Sequence, residues 1–196
     1  MIKACVLRSG GDFRPEHVQW LALQVPGLVC LADVPVAGVA TLPLRYDWPG
    51  WWSKLEMFGP SLAGDVLMMD LDTVVLSLPA EPSETTVLRD FTKPDLMGSG
   101  FMYVTAADRS RVWAEWLRDP RGHMADCRKW PKWGDQGFLQ DLIGDAAKWG
   151  DEVRSYKVHV RDRGLPVGAE VVCFHGRPRP WDIDEAWVPK CATSEN

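Results

Sequence analysis

The stretch VLMMDLDTVVL, residues 66–76, decides the fold of this chain. Four apolar residues run into Asp70-Leu71-Asp72, and Thr73 then leads into three further apolar residues. An unbroken apolar run of this length predicts a β-strand that is buried on both faces. Ligands of open α/β sheets bind beyond the carboxyl ends of such strands, so this strand would carry two carboxylates to a binding site.

The spacing of the two acids suggests a metal site. In an extended segment, Asp70 and Asp72 point the same way because side chains alternate along a strand. Two convergent carboxylates suit Mg²⁺ or Mn²⁺, and a substrate diphosphate can complete the octahedron. The alternative is a surface turn with two solvated acids, but an apolar run seldom leads into a charged pair without a functional reason.

The composition is that of an ordinary soluble globular protein. Of 196 residues, 46% are hydrophobic and 25% are charged, which is enough for one domain with a substantial core. The formal net charge of -5 excludes nucleic-acid binding by the whole surface, although a local basic region could still bind one. The 11 tryptophans can fill the core or stack on sugars and bases.

The cysteines and the hydropathy bear on the compartment. The five cysteines are scattered without C-x-x-C spacing, which argues against a disulfide framework or zinc site and for a reducing compartment. No apolar stretch reaches membrane-spanning length, and the first residues lack the layout of a signal peptide. We therefore predict a cytoplasmic protein.

The first part of the chain predicts a βαβ unit. Strands are expected at Ile2–Leu7, 28–31 and 39–44, and a helix with apolar residues at i, i+3, i+4 and i+7 begins at Pro15. This opening predicts a parallel sheet of the nucleotide-binding type.

Candidate ligand contacts follow these strands. The loop after the first strand contains Arg8 and Gly10, and glycine lets a backbone approach a ligand closely. Asp33 follows the second strand, either as a loop acid or as a ligand contact. Further on, Trp51, Leu55 and Phe58 would share a helical face, and Lys54 beside them could extend its ammonium inward while its stem packs.

Residues 96–104 predict a strand interrupted by Gly98 and Gly100 around Ser99. These glycines allow a ligand to approach closely or form a bulge. Residues 79–90 are polar and contain prolines, and they predict a loop.

The last third is rich in basic and aromatic residues. Basic stretches occupy 121–133, with interleaved tryptophans, and 154–163. A helix that begins between them has Asp135 as its predicted N-cap. A strand over 170–174 then leads directly into His175.

Three motifs in this order resemble the glycosyltransferases of the GT-A fold, close to the small glycogenin-like and phage-type enzymes. DLDT at 70–73 resembles the metal-binding D-x-D, and GDQ at 134–136 resembles the acidic motif that lines the sugar site. FHGRPRPW at 174–181 resembles the C-terminal H…G-x-x-K-P-W signature. WWSK before the D-x-D and GSGFM after it also resemble family segments. The resemblance implies an α/β, Rossmann-like fold with a mixed, mainly parallel sheet flanked by helices, in one domain over 1–196.

The motif at 174–181 departs from the family pattern in two places. His175 stands directly before Gly176, whereas glycogenin-like enzymes space the two. Arg179 stands where lysine is usual, and arginine grips a phosphate with two hydrogen bonds instead of acting as a point charge.

The resemblance implies transfer of a hexose from a nucleotide sugar, such as UDP-glucose or a related UDP-sugar, with retention of the anomeric configuration. Asp70, Asp72 and His175 would bind Mn²⁺ or Mg²⁺, which neutralises the departing diphosphate. Asp135, with Asp72, would assist the reacting centre. The residues implied to contact the nucleotide sugar are Arg8, Gly10, Asp33, Lys54, Asp70, Leu71, Gly98, Ser99, Gly100, Asp135, Gln136, Lys157, Gly176, Arg177 and Arg179.

Other interpretations of these residues stay open. Asp70 to Val74 also match the D-x-D-x-[TV] of haloacid-dehalogenase-type phosphatases, but there the nucleophile usually ends the first strand of its domain. A non-catalytic nucleotide- or nucleic-acid-binding module would use the basic and tryptophan-rich stretch at 121–133. His175 could be a structural histidine, and Arg177 and Arg179 a solvated basic edge.

The acceptor is the hardest part to predict. Some small phage enzymes of this resemblance glycosylate hydroxymethylated pyrimidines in viral DNA. The two basic stretches would bind a DNA backbone, and an aromatic side chain could support an extracted base. A small sugar or a protein hydroxyl is the alternative acceptor.

Overall fold

The computed structural model describes residues 1–130 and 132–191. The strands in chain order are Ile2–Leu7 (β1), Leu28–Ala32 (β2), Ala40–Pro43 (β3), Val66–Met69 (β4), Thr73–Val75 (β5), Thr86–Arg89 (β6), Met97–Val104 (β7), Arg128–Lys129 (β8), Lys132–Trp133 (β9), Ala147–Lys148 (β10), Val153–Ser155 (β11) and Val171–Cys173 (β12). The α-helices are Pro15–Gln24 (α1), Ala106–Arg118 (α2), Pro120–Asp126 (α3) and Gly134–Ile143 (α4). A 3₁₀-helix spans Gly50–Phe58, and shorter helical turns span Tyr156–Val160 and Pro180–Asp182.

Seven strands form the main sheet in the order β3-β2-β1-β4-β7-β6-β10. The first four in this order are mutually parallel, β7 runs antiparallel to both of its neighbours, and β10 is parallel to β6. The predicted α/β class and the parallel βαβ opening are therefore confirmed. Because the parallel strands end at one edge, the loops that follow them converge there.

Strand β4 lies inside the sheet and is buried on both faces, as predicted. Val66 and Met68 pack into one core, and Leu67 and Met69 pack into the other. Helix α1 covers one face of the sheet, whereas α2, α4 and the 3₁₀-helix cover the other. The two faces of a single apolar strand thus hold both layers of helices together.

The prediction of one continuous strand over 66–76 is wrong. The Asp70 N–H still donates to the Gly100 carbonyl at 2.8 Å, but the chain then turns at Leu71 and Asp72. Strand β5 joins a separate sheet, β11-β12-β5, in which Thr73 pairs with Cys173. Both halves of the run are buried, so its apolar character continues across the change of sheet.

Two further expectations are corrected. Residues 79–90 are not all loop, because the short strand β6 pairs with β7 on one side and β10 on the other. Trp51 does not share the buried face of Leu55 and Phe58, since it is 52% exposed. A 3₁₀-helix repeats every three residues, so Trp52 lies on the buried face in its place. Within the described residues, no helix is long and apolar enough to cross a lipid bilayer.

Candidate active site

Two cavities meet beside the turn that follows β4. The large cavity has a volume of about 870 Å³, and its polar lining includes Arg8, Lys54, Asp70, Asp72, Asp135 and Arg179. The small cavity, of about 280 Å³, is lined on one side by β6 and β7. The residues that line both cavities are Asp70, Asp72, Ser99, Gln136 and His175. The two acids therefore lie at the junction of the cavities, although they do not lie on one extended strand.

Lys54 is the centre of a buried polar network. Its Nζ lies 2.7 Å from Asp70 Oδ1 and 3.1 Å from Asp135 Oδ2, and the side chain is only 7% exposed. Asp135 Oδ2 also accepts a hydrogen bond of 2.8 Å from the Ser99 hydroxyl. Burial alone would lower the pKa of Lys54, but Asp135 and Asp70 raise it overall. The lysine therefore stays charged and holds two carboxylates from different elements together.

Asp135 was predicted as the N-cap of its helix, and this is wrong. The N-cap position is Trp133, which makes no capping hydrogen bond with its side chain, and Asp135 lies in the first turn. Because its carboxylate accepts from Ser99 and pairs with Lys54, it faces the cavity instead of the helix end. Its place near the helix N-terminus is still favourable for a negative charge.

Asp72 pairs with a cation from the far end of the chain. Arg179 contacts Asp72 in an ion pair and lies 3.6 Å from Asp12, with its side chain 14% exposed. Burial, and then the negative charge of Asp70, raise the pKa of Asp72 to about 6 despite the opposing effect of Arg179. The two carboxylates thus repel each other when both are charged. A further positive charge between them would relieve this repulsion.

His175 is held from two sides. Its Nε2 lies 2.6 Å from the Ser155 hydroxyl, and its ring stacks on Phe91 with centroids 5.5 Å apart. Burial, and then the charge of Lys157, lower the pKa of His175. The ring is therefore the neutral imidazole, the form that binds metals.

The predicted metal ligands fit a divalent cation only in part. In the described part of the chain, no three His, Cys, Asp or Glu side chains lie close enough together to hold a metal ion. The repelling carboxylates of Asp70 and Asp72 supply the hard oxygens that Mg²⁺ and Mn²⁺ prefer. His175, the third predicted ligand, does not fit in this side-chain conformation, because its Nε2 is hydrogen-bonded to the Ser155 hydroxyl.

Two glycines in the site have little space around them. A Cβ on Gly100 would lie 3.3 Å from Asp70 Oδ2, so glycine lets β7 approach that carboxylate. Gly134 has φ +64°, a conformation that favours glycine, and a Cβ there would lie 3.0 Å from Trp51 Nε1. Glycine therefore lets β7 lie close to Asp70 and lets the start of α4 lie close to Trp51.

Four of the residues predicted to contact the nucleotide sugar do not line either cavity in the described part of the chain. Asp33 accepts hydrogen bonds from the Ser9 N–H and hydroxyl at 2.8 and 2.7 Å, so it orders the loop after β1. Gly10 lies in the same loop. Lys157 donates to the His175 carbonyl at 2.8 Å, and Arg177 is 70% exposed and pairs with Asp182.

Several lining residues were not predicted from the sequence. Trp51 and Trp133 line the large cavity, and their exposure of 52% and 59% places them at its opening. Asp90 and Phe91 line the small cavity just after β6, a strand that lies within the residues predicted as a loop. Recognising β6 would have drawn attention to both, since residues that follow strands often contact ligands.

The sequence has no match among protein-family models or curated proteins. Solved structures do match it. They include the apo form of the glycosyltransferase GlyE from Streptococcus pneumoniae TIGR4, with a TM-score of 0.62 at 13% identity. The galactosyltransferase LgtC, solved with donor and acceptor sugar analogues, has a TM-score of 0.58 at 12% identity. The bifunctional glycosyltransferase WbbM has a TM-score of 0.60 at 11% identity.

Each of these matches covers 92% of the present chain. The aligned part is 89% of LgtC but only 56% of GlyE and 46% of WbbM, so the chain spans about half the length of the last two. The fold of the chain is the GT-A fold of these proteins, with its mixed, mainly parallel central sheet. This fold agrees with the one that the glycosyltransferase resemblance implies.

Proposed function

We propose that this protein transfers a hexose from a nucleotide sugar, such as UDP-glucose or a related UDP-sugar, to a hydroxyl group. The observation that carries the proposal is the convergence of Asp70, Asp72 and Asp135 with Lys54 and Arg179 in one cavity. This cavity lies where the parallel strands of a GT-A fold end. The chemistry of the site supports the same reaction, because a leaving diphosphate needs cations and a sugar needs fixed hydrogen-bonding groups.

The cations would act on the leaving group. Negative charge develops on the diphosphate as the glycosidic bond breaks, and a fixed cation stabilises it at that moment. We assign this role to Arg179, because it lines the cavity and a guanidinium can donate two parallel hydrogen bonds to a phosphate. Lys157 and Arg177 would contact the diphosphate only after a change of rotamer.

Asp70 and Asp72 would hold Mn²⁺ or Mg²⁺, and His175 would become a third ligand once its Nε2 leaves the Ser155 hydroxyl. The bound ion would supply further neutralisation of the diphosphate. In the protein alone, Lys54 and Arg179 neutralise the same two acids, which keeps them in the cavity.

Asp135 would bind the hydroxyls of the donor sugar or assist the reacting centre. Its carboxylate is held by Ser99 and Lys54, so its position relative to β7 is fixed. We further propose that the anomeric configuration is retained, as the resemblance to glycogenin-like enzymes implies. Nuclear magnetic resonance of the first-formed product would identify its anomer.

The direct test is incubation of the protein with a panel of nucleotide sugars and Mn²⁺, followed by detection of the released nucleotide. We expect release from a UDP-hexose and its loss in Asp72→Asn. Arg118→Ala is the matched control, because it removes an exposed cation outside both cavities and should keep the activity. Absence of release from every donor would contradict the proposal.

For the acceptor, we propose a hydroxymethylated pyrimidine in phage DNA. Trp51 and Trp133 support this proposal, because their exposed rings lie 6.3 Å apart, tilted by 46°, at the opening of the large cavity. Arg128 pairs with Trp133 across the β8-β9 hairpin and, like Lys129, is exposed. Aromatic rings can support an extracted base, and exposed cations can bind the phosphate backbone.

The DNA proposal has its own test. Duplexes that contain hydroxymethylcytosine or hydroxymethyluracil should gain the mass of a hexose, and unmodified duplexes should not. The rate should fall steeply with added salt if Arg128 and Lys129 contact phosphates. Transfer only to free glycans or peptides would refute DNA as the acceptor and leave the glycosyltransferase proposal standing.

A further inference from the structure

A third cavity, which we call the side cavity, lies next to the small cavity. It has a volume of about 290 Å³, and Leu88, Arg89 and Phe91 line both it and the small cavity. The remainder of its wall comes from Trp149, Gly150, Asp151, Val153, Arg154 and His159. None of the motifs that resemble glycosyltransferases contributes to this second group of residues.

The polar groups of the side cavity are mostly hydrogen-bond donors. The buried Nε1 of Trp149 and the buried Nε of Arg154 have no hydrogen-bond partner among the described residues. His159 accepts the Ser155 N–H at its Nδ1 over 3.0 Å, so the hydrogen of the neutral ring is on Nε2. Arg89 adds a second guanidinium to the lining. The buried Nε1 and Nε atoms are closed to solvent, so a ligand in the cavity would meet the outer nitrogens of Arg154, the guanidinium of Arg89 and the Nε2–H of His159.

The protein supplies little negative charge to match them. Asp151 Oδ1 lies 2.9 Å from Arg154 Nη1, but the Asp151 side chain is 92% exposed. An ion pair of this kind contributes little, and an incoming anion could replace it. Burial, and then the charges of Arg154 and Arg163, lower the pKa of His159, which agrees with an excess of positive charge around it.

We infer that the side cavity binds a phosphate group. Phosphate oxygens accept several hydrogen bonds at once, and guanidinium groups match them with two parallel bonds. Arg89 and Arg154, with the ring N–H of His159, form such a donor set. Resting on the proposed function, we further infer that the phosphate belongs to the acceptor.

Phe91 explains how one acceptor can reach both sites. Its ring stacks on His175 at 5.5 Å and meets the edge of His159 at 5.6 Å. One aromatic side chain thus separates the junction of the two acids from the side cavity. An acceptor that carries a phosphate as well as its reacting hydroxyl would span Phe91, with the hydroxyl beside the two acids at the junction of the cavities and the phosphate in the side cavity.

The binding test uses inorganic phosphate and needs no sugar donor. Calorimetric titration at constant ionic strength should detect binding to the unmodified protein and at least a roughly ten-fold weaker affinity in Arg154→Gln. Arg161→Gln is the matched control, since it removes the same charge from the same segment but does not line the cavity. If Arg154→Gln does not fold, Arg89→Gln removes the other guanidinium of the lining and should also weaken binding. No binding to the unmodified protein, or equal loss in the control, would overturn the inference.

The acceptor test compares a methyl hexoside with its phosphomonoester, and a hydroxymethylpyrimidine nucleoside with a duplex that contains it. The phosphate-bearing acceptor should have the lower KM, and Arg154→Gln should raise that KM without changing donor hydrolysis. The first pair tests a phosphomonoester and the second a phosphodiester. Phosphate binding without any transfer would refute the proposed function and not the site. Transfer with equal KM values within both pairs would refute the role of the site in acceptor binding.

Discussion

Lys54 and Asp135 form a buried ion pair, with Nζ 3.1 Å from Oδ2, that joins the 3₁₀-helix to the first turn of α4. The same ammonium contacts Asp70, which follows the central strand β4. A single lysine therefore holds together three elements that are far apart in the sequence. Its removal would leave Asp135, whose side chain is only 10% exposed, as an uncompensated charge.

We expect Lys54→Met to destabilise the fold by about 3 kcal/mol, because breaking a buried ion pair leaves one charge unpaired. Urea unfolding at pH 7 measures the change. The double variant with Asp135→Asn should recover part of this loss, since it removes the orphaned charge. Additive effects of the two substitutions would show that the ion pair is energetically unimportant.

Arg179→Ala should weaken UDP binding roughly ten-fold or more, because loss of a charge-assisted hydrogen bond costs about 1.5–3 kcal/mol. Calorimetric titration with UDP checks this. Arg118→Ala is the control, and its dissociation constant should be unchanged because Arg118 is exposed and pairs with Glu115. Equal dissociation constants for all three proteins would place Arg179 among the merely structural cations.

The stability of the protein should depend on pH through Asp72. Its pKa is raised from 3.8 to about 6, so the native state binds this proton more tightly than the unfolded state. The resulting stability is complete below about pH 4 and is lost as the pH rises through 6. From pH 4 to pH 7, wild type should lose on the order of 3 kcal/mol relative to Asp72→Asn.

Urea unfolding at several pH values measures this difference between the two proteins. In Asp70→Asn the loss should be smaller, because Asp70 is the second cause of the raised pKa. Parallel pH profiles for wild type and Asp72→Asn would contradict the assignment.

Removal of divalent cations should abolish sugar transfer. EDTA is expected to stop nucleotide release, and Mn²⁺ or Mg²⁺ in excess should restore it, because Asp70 and Asp72 would bind the ion. Circular dichroism in EDTA should be unchanged, since Lys54 and Arg179 hold the two acids in the protein alone. Full turnover in the presence of EDTA would show that Lys54 and Arg179 neutralise the leaving diphosphate without a metal ion.

Trp51→Ala should raise the KM for an acceptor with a flat ring, and we expect about a ten-fold increase from the loss of stacking. Steady-state kinetics with varied acceptor, at saturating donor, measures it. Trp130→Ala is the control, because that ring is also exposed but does not line the large cavity, and Lys93 lies over it. A similar change in both variants would rule out a specific stacking site.

The sequence predicts the strands of the main sheet best where burial is continuous. Ile2–Leu7 and the helix from Pro15 follow from apolar periodicity, and the structure has both. Strand β6 was missed because prolines and polar residues precede it, and only its pairing with β7 and β10 makes it a strand. The change of sheet after Asp72 leaves no trace in hydropathy, because both halves of the run are buried.

The candidate site shows the same division. Motifs identify the types of residue, and the structure brings most of those residues into two adjoining cavities. A motif does not show which side chains contact each other. From the sequence, Asp135 could therefore be either a helix cap or an ion-pair partner of Lys54. The donors of the side cavity are equally hidden in the sequence, because Arg89, Arg154 and His159 come together only in the fold.

The ion pair between Asp72 and Arg179 also bears on the order of folding, because the two residues are 107 positions apart. Contacts between such distant positions form late, after the entropy of closing the intervening loop has been lost. Strand β5 likewise has no partner in its sheet until Val171–Cys173 has been synthesised. A nascent chain can therefore complete the helices around β4 before it can bind a donor. Donor binding would stabilise only molecules whose C-terminal part has already docked, so it could serve as a probe of completed folding.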